Sequence, residues 1–134
     1  MYEKDYILSP KDRKLLAKDL YQRLGTGTLV QDMQYLGTKM EMRPNPIWLV
    51  DTLTEEVRLF ADEPWQPIYS VRPYLRPLFS SSMTEEEKAE LLQLMGNGTD
   101  VERIDFYVSH YFDFRGLIPQ GLALEAKEGM YEKE

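Results

Sequence analysis

Cysteine is absent from the 134-residue chain. That excludes disulfide staples, thiolate zinc sites, iron–sulfur clusters and cysteine nucleophiles. Histidine is nearly as scarce: His110 is the single one. A zinc or iron site would need carboxylates to complete it, and neither H-x-x-x-H nor E-x-x-H spacing occurs, so the expectation is no metal and no cofactor. No apolar run approaches the ~20 residues of a membrane-spanning helix. The opening Met1-Tyr2-Glu3-Lys4-Asp5 lacks the apolar stretch of a secretory signal, so the expected setting is cytoplasmic, with no membrane partner. Basic charge is also in deficit. Sixteen lysines and arginines stand against 23 acidic residues, a formal net charge of -7, which disfavours adsorption to nucleic acid or anionic lipid.

Hydrophobic residues form 43% of the chain and charged residues 29%, the balance of a folded globular chain. The length suits one domain spanning 1–134, with loose ends at 1–8 and 125–134. Ser9-Pro10 carries a helix start, with Ser9 as N-cap and Pro10 where no amide donor is needed. Leu16, Leu20 and Leu24 then recur every fourth residue, drawing one apolar stripe that ends at Gly25.

Beyond Gly25 the period changes to two. Met40 and Met42 alternate with Lys39, Glu41 and Arg43, and Val57 and Leu59 with Glu56, Arg58 and Phe60. Ile47-Trp48-Leu49-Val50 reads as a central strand, Asp51–Thr54 as a hairpin connection, and Thr28–Leu36 and Gln66–Val71 as further strands. The connections are too short for crossover helices, so the sheet is expected to be antiparallel, four- to five-stranded and strongly twisted, with a barrel-like curl as one outcome. Arg72 and Arg76 each precede a proline, which predicts a stiff extended connector over Arg72–Pro77. Thr84-Glu85-Glu86-Glu87 is a capping box opening a second helix, with Leu91, Leu92 and Met95 expected inward. Asp100 is the expected cap of a third helix, along which Val101, Ile104, Val108 and Tyr111 repeat. The fold class is therefore α+β: an N-terminal helix, an antiparallel sheet and two C-terminal helices.

Few residues carry a chemical signature. His110 with Asp113 three positions on could form an imidazole–carboxylate pair, the unit that orients a general base. Ser80-Ser81-Ser82 has no G-x-S-x-G context and reads as loop and capping serines. Gly25-Thr26-Gly27-Thr28 follows a helix and precedes a strand, the reverse of a phosphate-binding loop. Glu85–Glu87 is accounted for by capping. Arg72, Tyr74 and Arg76 on the stiff connector have the composition of an interface hot spot. Trp48 and Trp65 read as core or edge aromatics, with a stacking surface as the alternative.

One succession of segments adds a resemblance: Arg72-Pro73-Tyr74-Leu75-Arg76-Pro77, Ser81-Ser82-Met83-Thr84-Glu85-Glu86-Glu87, Phe112-Asp113-Phe114-Arg115-Gly116-Leu117-Ile118, Gly121-Leu122-Ala123-Leu124-Glu125-Ala126 and Glu128-Gly129-Met130-Tyr131. It resembles a family of small uncharacterised proteins encoded by gut bacteria of the Bacteroides type and by their phages and mobile elements, over roughly residues 71–131. Members often read Arg-Leu-Pro-Tyr-Gly where this chain has Arg23-Leu24-Gly25-Thr26-Gly27, and two adjacent histidines where it has His110-Tyr111. The resemblance implies a bacterial or phage cytoplasmic origin and no particular mechanism.

The leading expectation is a non-catalytic protein-interaction or accessory module with a protein partner. The first rival is a hydrolase or transferase using His110 with Asp113. The second is a nucleic-acid-binding protein acting through the basic first helix, Lys11 to Arg23, which the overall charge disfavours.

Overall fold

The computed structural model describes residues 8–34, 36–60 and 64–131. Helix α1 (Pro10–Gln22) begins where the sequence places it: the Ser9 hydroxyl accepts the Asp12 amide at 3.2 Å, with Pro10 in the first turn. Its stripe is buried as expected, with Leu16 and Leu20 fully enclosed and Leu24 partly so. Past Arg23 the backbone turns through Gly25 at φ +78°, a conformation that favours glycine.

The chain divides into two compact units, Met1–Tyr74 and Leu75–Glu134. In the first, the strands are short and fall into two antiparallel sheets instead of one. Strand β1 (Leu29–Asp32) pairs with β2 (Asn45–Pro46) and with β6 (Val71–Leu75). Strand β4 (Glu56–Arg58) lies between β3 (Leu49–Asp51) and β5 (Gln66–Pro67). Neither sheet closes into a barrel. The core is where the apolar positions of these elements meet: Leu16, Ala17, Leu20, Val30, Ile47, Val57, Leu59, Ile68 and Val71.

Four strand expectations change, the first being Gln66–Val71, which is interrupted by a 3-10 turn at Ile68–Ser70. Residues 40–43 are not a strand, because the Thr38 hydroxyl and carbonyl take the Met40 and Glu41 amides and wind the chain into a turn. The run at Ile47–Val50 enters β3 only at Leu49, and β3 is an edge strand. The strand expected over Thr28–Leu36 ends at Asp32; Tyr35, within that span, lies outside the described residues. The hairpin at Asp51 does form, with Asp51 Oδ1 accepting the Leu53 and Thr54 amides. Those two bonds, Thr54 first, also hold the Asp51 carboxyl below its ordinary pKa.

The second unit begins at Leu75, the last residue of β6, and contains the short strand β7 (Leu124–Glu125). The Leu75 carbonyl accepts the Ala126 amide at 2.7 Å. Two helices follow: α2 (Glu85–Asn97), opened by the Thr84–Glu87 capping box, and α3 (Asp100–Ser109). The cap of α3 is Thr99 in place of Asp100, in a second reciprocal box with Glu102. Gly98 joins the helices, and a Cβ there would meet the Leu94 carbonyl at 2.7 Å. Buried apolar side chains of this unit include Leu75, Phe106, Val108, Phe112, Leu117 and Leu122. Of the ends expected to be loose, residues 1–7 and 132–134 lie outside the described residues. Residues 125–131 are described, and Tyr131 stacks on Tyr111 at 3.9 Å.

Candidate functional site

The Arg/Tyr connector is the first correction. Its residues up to Leu75 form β6, and every position from Val71 to Leu75 is buried. Arg72, 3% exposed, turns its guanidinium back onto the Tyr69 and Val71 carbonyls, and its burial lowers its pKa. Tyr74, 4% exposed, donates to Gln31 Oε1 at 2.9 Å; burial and then the Glu41 charge push its phenol up. Two side chains committed to the interior cannot present an exposed hot spot. The alternating pattern that a β-strand needs is masked in the sequence by Pro73, which pairs opposite Val30 as the strand's one residue without a donor.

Arg76 behaves differently. It is bridged to Phe112, with its amide donating to the Tyr111 carbonyl at 2.8 Å and its carbonyl accepting from Asp113 at 2.9 Å. Its guanidinium lies 4.3 Å from the Phe112 ring centroid and grips Glu87 with both terminal nitrogens, at 2.7 and 2.8 Å. The same nitrogens also reach the carbonyls of His110 and Ser82.

Glu87 is thus more than a cap. Its Oε1 accepts the Thr84 amide as the capping box requires, while its Oε2 lies 2.8 Å from His110 Nδ1. Hydrogen bonding from Arg76 above all, then from the Thr84 amide, holds its carboxyl at about 2 against the opposing effect of burial. A carboxylate so anchored is ionised at neutral pH and acts only as an acceptor.

His110 closes α3, one-third exposed. Its ring lies 4.6 Å from that of Phe106 and 6.3 Å from that of Phe112. The expected partner, Asp113, is elsewhere: its two carboxylate oxygens accept the Leu117 and Ile118 amides at 2.7 and 2.8 Å, organising the turn after the helix. His110 therefore pairs with a carboxylate 23 residues away. The only hint in the sequence was a capping glutamate able to reach a second partner.

Arg76, Glu87 and His110 line one wall of a cleft of about 450 Å³, with Glu86, Glu90 and Tyr131 also on its wall. A hollow of about 610 Å³ adjoins it beneath residues 125–131, sharing Arg76, Thr84, Glu87 and Tyr131 but not reached by His110. Among the described residues no group of three histidines, cysteines or carboxylates is placed to hold a metal ion.

Elsewhere in this unit, Leu92 and Met95 face outward, 75% and 63% exposed, against the inward orientation that their spacing predicts. With Leu78, Met83 and Leu91 they line a shallow apolar groove of about 350 Å³.

In the first unit, Trp48 and Trp65 are 48% and 40% exposed and lie on either side of Arg58, whose guanidinium carbon is 5.2 and 5.6 Å from their rings. These are therefore surface aromatics on the sheet β3-β4-β5 and not core. The basic helix is partly neutralised: Arg13 pairs with Glu55 at 2.9 Å and Arg23 with Asp19 at 2.9 Å inside the core. The Gly25–Thr28 turn is engaged locally, the Thr26 hydroxyl donating to the Arg23 carbonyl and meeting the Thr28 hydroxyl.

No family model, no curated protein and no solved structure matches this chain. No helix among the described residues is long and apolar enough to cross a membrane.

Proposed function

We propose that the chain is a protein-interaction module, and that it engages its partner through the Trp48, Arg58 and Trp65 surface of the first unit. The observation that carries this reading is the pair of half-exposed tryptophans flanking one arginine. Tryptophan and arginine are among the residue types that most often dominate interface energetics. Tryptophan does so because it removes a large rigid surface from water at little rotamer cost, arginine because its planar guanidinium stacks on aromatic rings and donates several hydrogen bonds. Leu49, also exposed, sits directly across the ladder from Arg58 and widens the apolar area. The partner is a protein surface supplying apolar or aromatic side chains, in the cytoplasm of a bacterium or in a phage-infected cell. Lys11, Lys14 and Lys18 remain outward on α1, and three lysines in a chain of charge -7 give little purchase on nucleic acid.

The chain's only two tryptophans both belong to this surface, so intrinsic fluorescence reports directly on its occupancy. Affinity capture from a bacterial lysate with the wild-type chain and with a Trp48→Ala/Trp65→Ala variant tests the reading. A captured protein that is lost with the variant, and that on purification shifts tryptophan emission of the wild type, supports it. Equal capture by both, at unchanged melting temperature, overturns it. Sedimentation over a range of concentrations separates a foreign partner from a second copy of the chain.

A further inference from the structure

The cleft of the second unit has a chemical polarity that follows from which groups are already engaged. Both terminal nitrogens of Arg76 are taken up by Glu87 and by the carbonyls of Ser82 and His110. Glu87 has no proton to offer, so its contact with His110 Nδ1 requires the hydrogen to sit on Nδ1. The neutral imidazole then carries its lone pair on Nε2. That atom lies 3.8 Å from Glu90 Oε1, beyond hydrogen-bonding distance, and both residues line the cleft. The groups facing the ring are Glu87 and Glu90 from α2, Phe106 on its own helix and Phe112 just beyond it, while Arg76, one residue past β6, donates to the His110 carbonyl.

We propose that His110 Nε2 is the proton-accepting group of this cleft, with Glu87 positioning the imidazole and Arg76 positioning Glu87. The step is a simple transfer: an X–H bond of the ligand breaks, its electron pair stays on X, and the proton passes to Nε2. The resulting imidazolium is held by the Glu87 carboxylate. Glu86 and Glu90 add only acceptors to the wall, and residues 75–134 contain twelve acidic against six basic side chains. This balance disfavours anions, and the ligand class is a small hydroxyl- or amine-bearing compound without net negative charge. This site is independent of the tryptophan surface, and either can fail without the other.

Because His110 is the only histidine, long-range proton–nitrogen correlation spectra of the uniformly labelled full chain report on it without assignment. The expected spectrum of the neutral ring shows Nδ1 protonated and Nε2 as the bare nitrogen. In Glu87→Gln, whose amide can donate as well as accept, the two tautomers should mix. Titration with ethanolamine should move the Nε2 resonance, and sodium acetate at equal ionic strength should leave it in place. A wild-type ring protonated on Nε2, no response to ethanolamine, or an equal response to acetate would each overturn the proposal.

Discussion

Glu87 grips Arg76 through both carboxylate oxygens, at 2.7 and 2.8 Å, on the first turn of α2. A residue that caps a helix is here also the anchor for a cation from the end of a strand. Planar, bidentate geometry of this kind is among the stronger polar contacts available to a protein, and the Glu87 side chain is only 9% exposed. Glu87→Gln keeps the shape and one acceptor but removes the charge that Arg76 and His110 face. The expected cost is about 2–3 kcal/mol in urea unfolding followed by circular dichroism.

The same pair sets an acid limit on stability. The Glu87 carboxyl is held at about 2 in the folded chain against 4.5 ordinarily, so the unfolded state binds the proton more readily than the folded state. Its contribution is complete above about pH 5 and is lost as pH falls toward 2. Urea midpoints at pH 7, 4 and 3 should fall more steeply for the wild type than for Glu87→Gln. Parallel curves would remove Glu87 as the cause.

Asp19 and Arg23 form a pair one helical turn apart with both side chains fully enclosed. Removing one partner leaves a charge in the core, so Asp19→Ala should lose about 3–5 kcal/mol, while the double replacement Asp19→Leu/Arg23→Met should lose much less. Chemical denaturation of the three chains measures the difference, which vanishes if the pair is well solvated in solution.

Tyr74→Phe removes a hydroxyl that donates to Gln31 within the first unit. Leaving the Gln31 oxygen unsatisfied should cost about 1–2 kcal/mol. The outward reading of α2 makes the opposite forecast: Leu92→Gln with Met95→Gln should change stability by no more than about 0.5 kcal/mol, whereas Leu117→Ala, fully buried, should cost about 2–5 kcal/mol. Melting curves decide both.

Local rules were legible wherever a single stretch of chain settles the outcome. Ser9 and Thr84 cap the helices that their side chains predict, and Leu16 and Leu20 turn inward because one helix face must be covered. Alternation was a poorer guide. Met40 and Met42 have the period of a strand, but Thr38 offers nearby amides a closer acceptor than any neighbouring strand does. Leu91, Leu92 and Met95 have the spacing of a buried stripe, yet Glu87 is the one residue of α2 that is buried. There the apolar pattern marks a surface groove.

What the amino-acid order determined by itself is the α+β class, the starts of α1 and α2, the stripe of α1, and the lack of any thiol or histidine cluster. Each of these depends on neighbours within about one turn or one hairpin. Only the tertiary structure decided that Arg72 and Tyr74 lie inside, that Trp48 and Trp65 lie outside around Arg58, and that His110 meets Glu87 and not Asp113. Asp113 is nearer in sequence, but two backbone amides after it claim its oxygens. Glu87, 23 residues earlier, reaches the imidazole because the Arg76–Phe112 bridge brings the end of a strand and the end of α3 against the first turn of α2. Spacing along a chain cannot encode such a meeting, since it depends on how separate elements stack once their buried faces are covered.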